Sequence, residues 1–388
     1  MLVLAGKNNI AVNVLDYLLE NYNDNFVVVC NQTDGGHHGW QRSLKKTALD
    51  KGVREISLEE AYEQASVFLS LEFDKIVRPE KFKKARAYNI HFSLLPKYKG
   101  MYTSIWPLLN SEISSGVTLH EIDSGIDTGP IIEQREFSIT KHDRARDLYE
   151  KYLTTSFELI KERLNDIITG NLSVTTQAKD YSTYYSKQSL DFSKLEVDLN
   201  QTAFFIAKQI YSFSFREYQL PLIKGETIVE AEILDARSTV KPGTILDKQA
   251  DFYDLATIDF DIRLYFDRID RINEFSTCTA DQASRLLKGL CGVNDRNKNG
   301  WSPIIIAAYH GNIDVVKFLL DRGANINDCN NNGTSVLMYA KDFSIQSGNK
   351  ELFEFLVSNG ADLSHKDFSG KQLIDYLSEK EKKFLSVK

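Results

Sequence analysis

Residues 1–30, MLVLAGKNNIAVNVLDYLLENYNDNFVVVC, read as strand, turn, helix, strand. Leu2 to Ala5 is a short apolar run, GKNN is a polar turn, apolar residues then recur at helical spacing to Leu19, and Phe26 to Cys30 is a second apolar run. That order opens an α/β domain. Further along, Val67 to Leu71, Ala87 to Phe92 and Gly116 to Ile122 are apolar segments separated by helical patterns, and a long helix is expected from about Arg144 to Ile168. Parallel strands need helical crossovers that cover both faces of the sheet, so these segments predict a largely parallel sheet. Only one glycine stands in GKNN, which lacks the GxGxxG spacing that lets backbone approach a pyrophosphate, and dinucleotide binding is not expected.

A chain of 388 residues exceeds what one core usually organises, so two or three domains are expected. With 42% hydrophobic and 26% charged residues, the composition is that of a folded protein rather than a disordered one. The 47 basic and 54 acidic residues leave a formal charge of -7, which argues against broad contact with a nucleic-acid backbone but not against a small anionic ligand. Cys30, Cys278, Cys291 and Cys329 lie far apart, without metal-ligand spacing, and read as reduced thiols; no metal is expected. The polar AGKNN and Asp16 interrupt the apolar N-terminus, so neither a signal peptide nor a membrane span is expected, and the cytoplasm is the expected location.

From Gly170 to about Ser189 the chain is polar and tyrosine-rich (TTQAKDYSTYYSKQS), as suits a segment crossing between domains. A helix near Thr202 to Phe213 follows, then short strands with turn signals at KGE, PGT and DFYD. In the last hundred residues GWSPIIIAAYHGNIDVVKFLLDRGANIND matches GTSVLMYAKDFSIQSGNKELFEFLVSNGADLSH. Gly300 and Gly333 are 33 residues apart, the ankyrin period, whereas Gly323 and Gly360 are 37 apart, as four residues inserted near SIQS would produce. Ala280 to Gly292 and GKQLIDYLSEKEKKFL are expected to cap the stack.

The chemistry concentrates in residues 89–132, NIHFSLLPKYKGMYTSIWPLLNSEISSGVTLHEIDSGIDTGPII. On a strand, Asn89 and His91 point to the same face because side chains alternate with period two. The NxH pair, the SLLP after it, Gly100, the GVT at 116–118 and the DSGIDTG at 123–129 resemble the catalytic core of the 10-formyltetrahydrofolate-dependent formyltransferases. The resemblance implies a Rossmann-like α/β formyltransferase domain over residues 1–172, a small β-rich domain over 173–275 and an all-α ankyrin repeat domain over 276–388. It makes Asn89, His91 and Asp127 the catalytic triad. Their chemistry fits: formyl transfer to an amine passes through an oxyanion that an amide can donate to, and it needs a base near neutrality with a carboxylate to balance it. His37, His38, His120 and His142 receive no such support and are left without a role.

In this family the pterin enters between the segment before the NxH strand, here Ser70 to Ile76, and the loop before the aspartate, here His120 to Ile126. Leu71, Phe73, Ile76, Ile122 and Gly125 are the resulting cofactor candidates, with strand-end core as the alternative for the apolar ones. Segments 183–200 and 210–225 are similar to those of formyltransferases acting on dTDP-linked amino sugars, which implies a nucleotide-linked acceptor, favoured as dTDP-3-amino-3,6-dideoxyglucose for O-antigen or other surface polysaccharide. Arg216 is then expected to pair with a diphosphate, Phe215 or Tyr218 to stack on a thymine, and Lys179, Tyr184 and Lys187 to assist; the alternative is that these aromatics pack the small domain and Arg216 makes a surface ion pair. Trp301 and Tyr309 are candidates for a second nucleotide-sugar site on the repeats, which otherwise bind a protein. A homodimer is expected. A different amine acceptor, or an ankyrin scaffold without activity, remain the alternatives.

Overall fold

The apolar run Leu2–Gly6 is strand β1, buried along its length, and leads into helix α1 (Asn8–Asn21). A Cβ on Gly6 would lie 1.9 Å from the carbonyl oxygen of Leu71, so the sole glycine of GKNN answers to a close approach between strand ends rather than to a pyrophosphate. Strand β2 (Phe26–Cys30) follows, then helices α2 (Leu44–Asp50) and α3 (Leu58–Gln64), whose N-caps Ser43 and Ser57 accept from the amides of Lys46 and Glu60. Next come β3 (Val67–Leu71), β4 (Arg86–His91), β5 (Lys99–Gly100), α4 (Trp106–Leu109), β6 (Ser114–Glu121), β7 (Ile131–Ser138), α5 (Ala145–Thr169) and β8 (Tyr184–Tyr185).

This computed structural model describes residues 1–23, 25–192 and 196–387. The main sheet has the order β2-β1-β3-β4-β6-β7, with β1 to β4 parallel and β6 and β7 antiparallel. The expected α/β sheet is therefore present, with an antiparallel edge. Strand β7 was not foreseen: IIEQREFS alternates between half-buried and exposed positions in its second half, so it offers no continuous apolar run.

The chain forms two compact units, the first comprising Met1–Leu195 with Tyr211–Phe215 and the second Glu196–Ile210 with Arg216–Lys388. The second unit opens with α6 (Ala203–Phe213), whose last residues belong to the first, and continues with β9 (Leu222–Ile223), β10 (Glu226–Ile233), β11 (Ile245–Lys248), β12 (Phe252–Leu255) and β13 (Ile262–Phe266). These strands pair in the order β11-β12-β13-β10-β9. DFYD is a correction, because Phe252 to Asp254 lie within β12 rather than in a turn.

Helices α7 (Ala280–Leu286), α8 (Pro303–Tyr309), α9 (Ile313–Leu320), α10 (Val336–Ser347), α11 (Glu351–Ser358) and α12 (Glu379–Leu385) complete this unit around one apolar core running from Ile272 to Leu385. The residues that stretch the repeat from 33 to 37 do not form a loop. Helix α10 has 12 residues where its counterpart α8 has 7, and SIQS is its last turn. Among the described residues, no helix is long and apolar enough to cross a membrane.

Candidate active site

Strand β4 carries Asn89 and His91 on one face at its C-terminal end, and β6 runs antiparallel beside it with Asn89 opposite His120 and His91 opposite Thr118. Period two puts all four side chains on the same side of the sheet. Asp127 arrives on the loop between β6 and β7, with φ at 53°, in the left-handed region. The loop is tied by its own residues: Asp123 accepts from the amide of Gly125 at 3.0 Å and the hydroxyl of Thr128 at 2.7 Å. Gly129 closes it where a Cβ would meet the carbonyl oxygen of Glu121 at 1.8 Å.

The Asp127 carboxylate sits 3.5 Å from His91 Nδ1 and 3.7 Å from His120 Nε2, and accepts from the Gly100 amide at 2.9 Å. Burial opposes its charge, but the His91 ring and the Gly100 amide help to outweigh burial and hold the carboxyl well below the usual carboxylate range. A carboxylate so stabilised is a poor proton acceptor, which assigns it the role of counter-charge.

Two backbone carbonyls fix the histidine tautomers, since a carbonyl only accepts. His91 Nε2 lies 2.8 Å from the oxygen of Tyr98 and so carries its proton, leaving Nδ1 toward Asp127. His120 Nδ1 donates to the oxygen of Glu121 at 2.7 Å, so its neutral Nε2 accepts from Asn89 Nδ2 at 3.1 Å. That bond orients the Asn89 amide and uses one of its two N–H groups, leaving the other for a developing oxyanion. The set can therefore donate to an oxyanion, accept a proton and balance the resulting cation.

His120 is the residue that motif reading passed over. Its signal is non-local: the alternation of Thr118 and His120 becomes informative only once β6 is known to pair with β4 in this register. Replacing His120 with Leu is expected to lower kcat about 10- to 100-fold, by releasing the Asn89 amide, with little change in folate KM; steady-state kinetics on both substrates checks this.

The segment around the SLLP turn is held by Thr118, whose hydroxyl donates to Ser93 O at 2.7 Å and accepts from Leu95 N at 3.1 Å and from Gln134 Nε2 at 2.8 Å. The threonine of GVT thus anchors SLLP from the neighbouring strand.

Residues 12–164 match the formyl transferase family and residues 277–367 match ankyrin repeats. Two solved structures, WlaRD, a sugar 3N-formyl transferase crystallised with dTDP and 5-N-formyl-THF, and the N-formyltransferase of Helicobacter canadensis with folinic acid and dTDP-3-aminofucose, are each 41% identical to this chain. Each alignment covers 68% of this chain, and 97% and 98% of the respective structures, with TM-scores of 0.62 and 0.63. The chain belongs to the folate-dependent N-formyltransferases. Among curated relatives, the methionyl-tRNA formyltransferase of Clostridioides difficile is 29% identical over 200 residues, and that of Thermodesulfovibrio yellowstonii 33% over 182. These matches take in 50% and 45% of this chain, which spans only 63% and 56% of those relatives.

The other residues named from sequence fare differently in this formyltransferase. Leu71 is fully buried in β3, and Phe73 and Ile122 pack against the core formed by Val3, Val27 and Phe68, so all three follow the strand-end core alternative. Ile76 is exposed, and Gly125 acts through its amide within the loop. The polar residue between Leu71 and Phe73 stands out instead: Glu72 accepts from Tyr149 OH at 2.8 Å and Asn8 Nδ2 at 3.2 Å, and burial pushes its carboxyl up.

Lys179, Tyr184, Lys187 and Tyr218 are exposed. Phe215 and Arg216 require correction. Phe215 is buried edge-on against Trp40 and Tyr149, at 5.5 and 5.6 Å, with no face open to a base. Arg216 is clamped by Asp267 at 2.7 and 2.8 Å and by Asp295 at 2.7 Å to both oxygens, so its donors already serve two carboxylates instead of a diphosphate. In the repeats, Trp301 packs against Tyr309 at 5.6 Å and Tyr339 at 5.1 Å, and Tyr309 keeps 37% of its surface exposed. Among the described residues, no group of three His, Cys, Asp or Glu is placed to hold a metal ion.

Proposed function

We propose that this protein transfers a formyl group from 10-formyltetrahydrofolate to the amine of a dTDP-linked 3-amino-3,6-dideoxyhexose, favoured as dTDP-3-amino-3,6-dideoxyglucose, in the synthesis of O-antigen or another surface polysaccharide. The observation that carries the reaction is the joined set of Asn89, His120, His91 and Asp127 at the end of β4. The acceptor class is supported by 41% identity over nearly the whole length of two sugar-formylating relatives, one of them bound to a dTDP-3-amino sugar. The formal charge of -7 favours a small acceptor over the tRNA on which the curated relatives act.

The folate supplies the formyl group; the chain's residues manage charge and protons. Asn89 donates to the oxyanion that develops on the formyl oxygen. His91 takes the amine proton at Nδ1, the nitrogen not committed to Tyr98, Asp127 balances the imidazolium without taking the proton itself, and as the formyl–N10 bond breaks the imidazolium returns that proton to N10 of the leaving tetrahydrofolate. The triad thus works as base and counter-ion in a water-poor site.

Pairing into homodimers, a cytoplasmic location and residue boundaries at 172 and 275 between catalytic, β-rich and ankyrin parts belong to the same reading. The Trp301–Tyr309–Tyr339 cluster offers the repeats one partly exposed ring for a second nucleotide or a protein side chain. The deciding assay incubates the protein with 10-formyltetrahydrofolate and both C4 epimers of dTDP-3-amino-3,6-dideoxyhexose, beside 4-amino isomers and methionyl-tRNA. Folate release and a mass gain of one CO on a 3-amino sugar, abolished in His91→Asn, are expected. Turnover of a 4-amino sugar or of tRNA alone would overturn the acceptor, and full activity in His91→Asn would overturn the mechanism.

A further inference from the structure

The polar, tyrosine-rich stretch after α5 has the composition of a plain crossing segment, yet its backbone and side chains are bonded both to the loop that carries Asp127 and to the loop whose backbone contacts His91 and Asp127. At one end Thr175 exchanges two backbone hydrogen bonds of 2.8 Å with Ile131, and Gln177 Nε2 donates to the carbonyl oxygens of Asp127 and Gly129 at 2.8 and 2.7 Å. Both amide hydrogens of Gln177 are thus spent on the aspartate loop, while its buried Oε1 finds no partner among the described residues.

At the other end Thr183 brackets Tyr98. Its hydroxyl accepts from the Tyr98 amide at 2.7 Å, its own amide donates to Pro96 O at 3.2 Å and its carbonyl accepts from Lys99 at 3.0 Å. Strand β8 then pairs with β5, where Gly100 meets Tyr185 so closely that a Cβ would stand 2.2 Å from the Tyr185 oxygen. The Tyr185 ring stacks on Trp106 at 3.9 Å. The loop held this way supplies the Tyr98 carbonyl to His91 and the Gly100 amide to Asp127.

We propose that residues 175–185 are a positioning strap for the catalytic groups: Gln177 sets the loop of Asp127, and Thr183 sets the Tyr98 carbonyl that decides which nitrogen of His91 carries the proton. Neither residue touches the reacting atoms. Each acts through another, Gln177 through the backbone at Asp127 and Gly129, Thr183 through the backbone of Tyr98. Tyr98 has φ at 59°, a left-handed conformation a tyrosine holds only when its surroundings over-determine it, which Thr183, Asn110 and Glu112 do from both the backbone and the phenol. The inference rests on the reading that His91 and Asp127 carry the reaction.

The test uses the full chain labelled with 15N-histidine, with the His91 signals identified by their loss in His91→Asn. Long-range 1H–15N spectra should show the neutral His91 ring protonated at Nε2. Thr183→Val, which keeps the shape but leaves the Tyr98 amide without its acceptor, is expected to erode that preference and lower kcat about 100-fold, as misplacement of a catalytic group by an ångström does. Thr183→Ser should restore both. Gln177→Met is expected to lower kcat about 10-fold with little change in either KM, because the Asp127 carboxylate is no longer held beside His91.

Wild-type tautomer and kcat in Thr183→Val, or wild-type kcat in Gln177→Met, overturn the strap. Should Thr183→Val fail to fold, Thr183→Ala, which also removes the hydroxyl, is read for the same tautomer and kcat, with the same outcomes. An active His91→Asn would instead overturn the underlying mechanism, whatever the spectra show.

Discussion

An Asp127→Asn protein is expected to fold and to bind both substrates but to transfer formyl groups about 10³-fold more slowly. The carboxamide preserves the size of the side chain and can still accept from the Gly100 amide, so the loop should hold its shape. What disappears is the negative charge beside His91 Nδ1 and His120 Nε2. Without it the imidazolium formed when the amine is deprotonated stands uncompensated, and the loss falls on kcat rather than on KM.

The stability consequence has a definite sign. The folded carboxyl is held below its unfolded value, near pH 3.9, so its ionised form contributes fully above that value and the contribution fades as pH falls below it. Wild-type and Asp127→Asn should therefore differ most in denaturant midpoint near neutrality and converge in acid. A variant with unchanged kcat would remove Asp127 from the mechanism.

The second large effect concerns Arg216. Asp295 is fully buried and Asp267 half-buried, and burial alone would disfavour the arginine's charge; its bonds to the two carboxylates outweigh burial and keep it protonated. Arg216→Met leaves a buried carboxylate unpaired, at a cost of about 3–5 kcal/mol. For a unit of this size the melting temperature should fall by roughly 10 °C, measurable by calorimetry. Converting Asp267 and Asp295 to Leu in the same chain should recover much of it, because the penalty lies in the orphaned charges. At temperatures where Arg216→Met remains folded, KM for the nucleotide sugar should be unchanged. A raised KM without loss of stability would return Arg216 to the diphosphate.

What could be read from residue order alone was what local pattern encodes. Asn89, His91 and Asp127 sit in short motifs with fixed spacing, and strand period aligns the first two. The 33-residue glycine interval likewise announces the repeats, because each repeat is a local unit. His120, Gln177 and Thr183 escaped because their partners lie 31, 50 and 85 residues away along the chain. Phe215 and Arg216 were misjudged for a related reason: an aromatic next to an arginine suits a nucleotide or a core equally well, and only burial and partners separate the two. The insertion near SIQS was counted and located, but its helical conformation was not read, since polar residues in the last turn of a helix resemble those of a loop.

Tyr211–Phe215 has an unusual address, belonging to the catalytic unit while the chain on either side of it belongs to the other. Phe215 fills the space between Trp40 and Tyr149, and the Tyr211 ring lies 4.9 Å beneath the Arg144 guanidinium. A gene shortened after the long helix would thus remove part of the catalytic interior along with the appendage. A truncation that leaves the catalytic unit whole must therefore end beyond Phe215, not at the end of the long helix.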